Sequence, residues 1–167
     1  MYDIILFLDN VRSAHNVGSM LRTAEGLGLK RVIASGISPY PRQSSDPRLP
    51  HVIASAEKKL AKTALGAEHL LQVDHVPDSI YALRALKKDG YRLVGLEQSP
   101  HALDLRNYKI KHQMVLVVGN ENSGLEQDVQ KLMDELVSIP MTGEKESFNV
   151  AAAAAMALYR LTLDNVA

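Results

Sequence analysis

The chain has 167 residues, 46% hydrophobic and 23% charged, which is one ordinary globular domain with enough apolar material for its own core. Nineteen basic residues balance nineteen acidic ones, so bulk charge is not what would hold a polyanion, although a local basic face remains open. The absence of cysteine excludes a disulfide scaffold, a thiolate zinc site and a cysteine nucleophile, and none of the six histidines forms a His-x-x-x-His pair, so no metal site is expected.

The first nine residues, Met-Tyr-Asp-Ile-Ile-Leu-Phe-Leu-Asp, carry no basic residue and no small-residue cleavage site, so they do not read as a signal peptide. No apolar run approaches a membrane span, and the expected location is the cytoplasm. Residues 4–8 are continuously apolar, as in a buried strand. Val17, Met20, Leu21, Ala24 and Leu27 then recur at helical spacing, and Gly28 closes the pattern. Residues 31–34 form a second strand. Gly36, Pro39, Pro41, Pro47 and Pro50 make residues 36–50 a long loop, of the kind that is functional or mobile.

Residues 51–65 read as a helix ending at Gly66, residues 70–73 as a third strand, and residues 77–89 as a helix opened by Pro77. Residues 91–96 give a fourth strand. Residues 114–118, the most apolar run, are expected at the sheet centre. A polar turn at 119–124 leads into a helix at 125–133, a short strand at 136–140 and an alanine-rich helix from 149 to about 163. Its five consecutive alanines favour helix and would also let a neighbour approach closely. Strands alternating with helices predict an α/β domain with a mostly parallel sheet flanked by helices.

Ligands of such sheets sit beyond the carboxyl ends of the strands. Three polar clusters occupy those positions. The first runs from Asp9 through Asn16 and Gly18 to Arg22. Gly18 and Arg22 share a helix face away from the apolar stripe, and a glycine there points to close approach by backbone or ligand. Alternatively, Ser13 or Asn16 only caps the helix and Arg22 is solvated. The second, Gly119-Asn120-Glu121-Asn122-Ser123-Gly124-Leu125, has Leu125 where a phosphate-binding loop needs lysine, and it lacks the dinucleotide spacing. Its Glu121 could pair with an arginine or hold donors of a ligand. The third joins Ile139-Pro140-Met141 to Ser147-Phe148-Asn149-Val150, where Ser147 and Asn149 are both good helix caps. Arg42, Arg48, Lys58, Lys59 and Lys62 stand against Asp46 and Glu57, either as a solvated face or as a surface for a partner.

Taken in order, the clusters resemble the three sequence blocks of the SpoU (TrmH-like) branch of the SPOUT RNA 2′-O-ribose methyltransferases. Asn10 to Gly28 with Asn16, Gly18 and Arg22 matches the first block. Val118-Gly119-Asn120-Glu121 with Ser123-Gly124-Leu125 matches the second, and Ile139-Pro140-Met141 with Ser147-Phe148-Asn149-Val150 the third. Residues 63–70 resemble the segment between the first two blocks. Phe148 stands where the family usually has leucine, and Ala151 where it often has serine.

The resemblance implies an α/β-knot fold with a C-terminal trefoil knot, a single catalytic domain over residues 1–167 without an appended RNA-binding domain, and a homodimer. It implies S-adenosylmethionine as methyl donor, S-adenosylhomocysteine as product, and 2′-O-ribose methylation of RNA, with tRNA favoured over rRNA. Arg22 would be the key catalytic residue. A guanidinium stays charged at ordinary pH, so it would grip a phosphate and stabilise the developing alkoxide rather than act as base. Glu121 would orient Arg22, Asn16 would position ribose or phosphate, and Ser147 and Asn149 would line the junction of RNA and cofactor. The cofactor would lie against Leu96, Gly119, Ile139, Met141 and Phe148. RNA would contact Arg12, Arg42 and Arg48, with Lys58 and Lys62 as further candidates. The alternatives are an rRNA enzyme of the same family, an RNA-binding protein of this fold without catalysis, and an unrelated nucleotide-binding α/β enzyme.

Overall fold

A strand covered on both faces needs apolar residues without alternation, and residues 4–8 supply them: Ile5, Leu6, Phe7 and Leu8 have no solvent exposure. The computed structural model describes residues 2–110 and 112–163. Its elements are β1 (Ile4–Asp9), α1 (Ala14–Gly26), β2 (Arg31–Ser35), α2 (Pro50–Ala64), β3 (Gln72–Val76), α3 (Ser79–Lys88), β4 (Arg92–Leu96), β5 (Leu103–Asp104), β6 (Met114–Val118), α4 (Gln127–Gln130), β7 (Glu135–Ser138) and α5 (Val150–Leu163). The strands form one sheet in the order β3-β2-β1-β6-β4-β7-β5, and every neighbouring pair is parallel. β6 is the central strand, as its apolarity predicts.

Helices cover both faces. On one, Leu6 and Leu8 pack with Val17, Met20 and Leu21 of α1, Leu60 of α2 and Leu158 of α5. On the other, Ile5, Phe7, Val115 and Val117 pack with Leu83 and Leu86 of α3 and Val129 of α4. Burying each such side chain contributes about 1.5–3 kcal/mol. Gly18 sits where α1 meets α2: a Cβ there would lie 2.3 Å from Thr63 Oγ1 and 2.6 Å from the Leu60 carbonyl oxygen. The close neighbours are the Thr63 hydroxyl and the α2 backbone. Ala154 of the alanine tract and Ala157 just beyond it are fully buried, so small side chains also let α5 approach its neighbours.

Several boundaries differ from the sequence pattern. Leu65 (φ 51°) and Gly66 (φ 97°) end α2, a 3-10 turn at Ala67–His69 follows, and β3 therefore begins two residues later than expected. Pro77 precedes α3 rather than opening it, because Asp78 is the cap: its carboxylate accepts the Tyr81 N–H at 3.0 Å. α4 is a single turn, and β5 is a two-residue edge strand too short for any alternation to announce. Among the described residues no helix is long and apolar enough to cross a membrane, and no group of three or more metal-ligating side chains is gathered.

Candidate functional site

The carboxyl ends of β4, β6 and β7 open into a cavity of about 250 Å³. Apolar walls come from Leu96, Val118, Ile139, Phe148 and Val150, while Gly119 and Ala153 leave it wide. Glu97, Glu121 and Glu146 also line it, and among the described residues no lysine, arginine or histidine does. A lining of carboxylates without a cation repels phosphates and attracts a positively charged group. This disfavours the reading of the 119–124 turn as a phosphate cradle.

A chain of hydrogen bonds joins the three sequence clusters beside this cavity. The Glu121 carboxylate accepts the backbone N–H groups of Arg12 and Ser13 and the Asn16 Nδ2 donor, each at 2.9 Å. Asn16 Oδ1 accepts from Asn149 Nδ2 at 3.2 Å. Asn149 Oδ1 in turn accepts the N–H groups of Ala151 (2.9 Å) and Ala152 (3.3 Å) at the start of α5. The direction of the chain is forced. An ionised carboxylate only accepts, so each asparagine must turn its NH₂ toward Glu121 and its oxygen toward α5. Burial pushes the Glu121 carboxyl up, but the donors from Arg12, Asn16 and Ser13 outweigh it and hold it below the usual glutamate range. Ser13 caps α1 by accepting the Asn16 N–H at 3.3 Å, so capping and site geometry share the same residues.

Two corners brace this chain. Asn10 adopts φ 53°, a left-handed conformation that asparagine tolerates, and its carbonyl accepts Asn120 Nδ2 at 2.9 Å. Beneath it the buried Asp9 carboxylate accepts hydroxyls from Ser35 (3.2 Å) and Ser79 (2.5 Å). On the far side, Glu97 accepts the Leu125 N–H at 2.7 Å and the Gln98 N–H at 3.0 Å. Gly124 (φ 66°) holds a left-handed backbone there that would strain any side chain, with the Glu97 carboxylate close beside it. Glu97 was not among the expected site residues, and Asp9 and Asn120, although inside the expected clusters, had no role assigned to them. The available signal was a carboxylate or amide at the end of a strand, which the sequence reading applied to the 119–124 turn and not to Glu97.

Not every expected residue joins the site. Arg22 is exposed, nearly two turns along α1 from Asn16, and has no ion pair among the described residues. Glu121 therefore does not orient Arg22 within one chain; its bonds go to the start of α1. Met141 does not line the cavity, and Val150 and Ala153 of α5 take that stretch of wall. Ser147 lines it, without capping α5. Arg48 is turned inward: its guanidinium binds Asp46, lies 3.6 Å from the Tyr40 ring centroid and donates to the Tyr40 carbonyl, while Tyr40 stacks on His75 at 3.8 Å. Arg48 thus ties together the 36–50 loop through Asp46, Tyr40 and Pro41. Arg42 is exposed and pairs loosely with Glu57 at 3.6 Å.

Known proteins share this sequence pattern and fold. The model of the SpoU rRNA Methylase family matches residues 3–159. A 23S rRNA (guanosine-2′-O-)-methyltransferase RlmB from Neisseria meningitidis is 33% identical over 155 residues, covering 93% of this chain and 56% of the relative. The chain thus spans about half the length of that relative. The SpoU methyltransferase AviRb from Streptomyces viridochromogenes, solved in complex with the cofactor AdoMet, superposes with a TM-score of 0.77 at 27% identity, covering 99% of this chain and 61% of that one. A structure concerning the 2-OH methylation of C/U34 on tRNA shares the fold at a TM-score of 0.77 and 23% identity, covering 99% of this chain and 97% of that one.

Proposed function

Because the chain belongs to the SpoU rRNA Methylase family, we propose that it transfers the methyl group of S-adenosylmethionine to a ribose 2′-hydroxyl of RNA. The observation that carries this is the Glu121–Asn16–Asn149 chain, which ties all three family blocks together beside an apolar-walled, acid-lined cavity. The cavity residues fit the cofactor. Leu96, Ile139 and Phe148 give flat apolar walls for an adenine, Gly119 leaves room beside them, and Glu121 and Glu146 favour a sulfonium over an anionic nucleotide. When bound, S-adenosylmethionine supplies a methyl carbon made electrophilic by its positive sulfur.

The protein's own part is alignment and charge. Asn16, fixed at both ends of its amide, and Asn149 hold the ribose of the target nucleotide, with Ser147 at the junction. Arg22 grips the neighbouring phosphate and stabilises the alkoxide that forms as the 2′-hydroxyl loses its proton to phosphate or water. The enzyme acts as a homodimer in which Arg22 reaches the cavity of a second copy. In support, Arg22 is exposed and outside its own chain's cavity. In addition, α5, packed beside α1, exposes an apolar stripe of Met156 (38%), Tyr159 (58%) and Leu163 (49%). The trefoil threading is part of this reading, and β7 lying between β4 and β5 supports it.

The place of action is the cytoplasm. Transfer RNA is put ahead of ribosomal RNA as the first substrate to test: a solved structure of this fold concerns the 2-OH methylation of C/U34 on tRNA, while the N. meningitidis relative acts on 23S rRNA. Calorimetry with S-adenosylmethionine, followed by methyl transfer to unmodified tRNA and rRNA, tests the proposal. Binding with no transfer to either RNA would favour a non-catalytic RNA-binding protein. Absence of cofactor binding would refute the reading.

A further inference from the structure

A second groove, of about 380 Å³, lies between the start of α1, Pro39 and the first half of α2. Its character is opposite to that of the cavity. Arg12, His51 and Lys59 line it, no carboxylate does, and none of the three has an ion pair among the described residues. His51, Ser55 and Lys59 stand at i, i+4 and i+8 on one face of α2. Successive steps rise about 6 Å and the row spans about 12 Å. Val52 and Ala56 also line the groove, giving it an apolar floor.

We propose that this groove is the track for the RNA phosphodiester backbone next to the methylated nucleotide, a proposal that rests on the RNA methyltransferase reading. Three donors set in a row along about 12 Å of helix suit a polymer with a charge on every unit, which meets each donor in turn. Histidine offers an N–H in either protonation state, serine a hydroxyl and lysine an ammonium, all of which hydrogen-bond phosphate oxygens. The apolar floor suits the sugar and base faces between phosphates.

Arg12 connects the groove to the reaction site. Its backbone N–H is held by Glu121 at 2.9 Å while the residue lines the groove, so bound RNA is led to the Glu121–Asn16–Asn149 chain. The assignment is selective. Lys58, next in sequence, lines a different depression together with Glu57 and Glu68, and Lys62 lines neither.

The test compares Lys59→Glu with Lys58→Glu, two exposed positions with the same change in net charge. The probe is a fluorescent pool of unmodified transfer RNA transcripts, titrated by anisotropy at several potassium chloride concentrations. K59E is expected to weaken binding by about tenfold or more, the loss of one charge-assisted contact. It should also lower the slope of log K against log salt by about one. K58E should stay near wild type, and S-adenosylmethionine binding should be unchanged in both. Equal weakening by the two variants would mean that RNA follows net charge, and unchanged binding by K59E would mean that it lies elsewhere; either overturns the groove. A wild-type enzyme that binds cofactor but methylates neither tRNA nor rRNA overturns the underlying reading separately, while the two-variant comparison still decides the groove.

Discussion

Replacing Glu121 should loosen the corner that joins all three clusters, and the structure sets the size of the effect. Its carboxylate accepts three hydrogen bonds at 2.9 Å. A bond to a charged acceptor is worth about 1.5–3 kcal/mol when shielded from water. The Arg12 N–H is exposed and can turn to solvent, and the Ser13 and Asn16 donors are only partly buried, so all three shares are discounted. Glu121→Ala is therefore expected to destabilise the fold by about 2–3 kcal/mol. For a chain of this length that lowers Tm by about 5–10 °C.

Glu121→Gln keeps the shape but faces one of the three donors with an NH₂, and should cost about half as much. Stability against pH gives a second reading. The folded Glu121 carboxyl lies below its ordinary value, so its contribution is full above the unfolded glutamate range, near pH ~4.3, and disappears as pH falls through the lower folded value. The stability gap between wild type and E121Q should be constant from neutral pH to about pH 5, then narrow on further acidification. Thermal unfolding by circular dichroism measures both effects. A Tm of E121A within about 1 °C of wild type, or a gap that widens in acid, would refute the tether.

The remaining predictions concern packing, cofactor and loop. Gly18→Ala drives a methyl into α2 backbone and should lower stability by about 1–3 kcal/mol, read by urea unfolding, although the same change favours an isolated helix. Phe148→Ala removes a half-exposed cavity wall, so calorimetry should show weaker S-adenosylmethionine binding with little change in Tm; unchanged affinity would remove Phe148 from the cofactor site. Arg48→Ala breaks the contact with Tyr40 and the pair with Asp46, and amide exchange in residues 36–50 should accelerate. Exchange at the wild-type rate would mean that other contacts order the loop. Arg22→Ala should abolish transfer with Tm unchanged, because Arg22 is exposed and has no ion pair among the described residues. Retained transfer by R22A would falsify the role assigned to its guanidinium.

The layered α/β architecture was legible because its signals are local. Apolar runs without alternation at 4–8 and 114–118 mark strands buried on both faces, and the Val17–Met20–Leu21–Ala24 spacing marks a helix with one buried face. β5 was invisible, since two residues at a sheet edge have no period. The start of β3 was misread because Leu70 looks like core material, yet it follows a 3-10 turn and is 73% exposed.

In the site, Asn16, Glu121 and Asn149 were identifiable as residue types at strand and helix ends, but their mutual order was not. That Glu121 serves the start of α1 rather than Arg22 depends on backbone and side-chain donors 105 to 109 residues away in sequence. Arg48 shows the same limit. In sequence it is one of several exposed-looking cations, and only the fold reveals Tyr40, His75 and Asp46 around it. Gly18 was open to two explanations, and the approach of Leu60 and Thr63 decides between them.

The central claim, methyl transfer to a ribose oxygen, is tested most directly by one product analysis. The protein is incubated with S-adenosylmethionine labelled in its methyl group and with unmodified tRNA and rRNA, and the labelled RNA is hydrolysed with alkali. A 2′-O-methyl group blocks attack of that oxygen on its own phosphate, so the account predicts label in an alkali-resistant dinucleotide, absent with R22A. Label released in alkali-sensitive mononucleotides, which marks a methylated base, would contradict it.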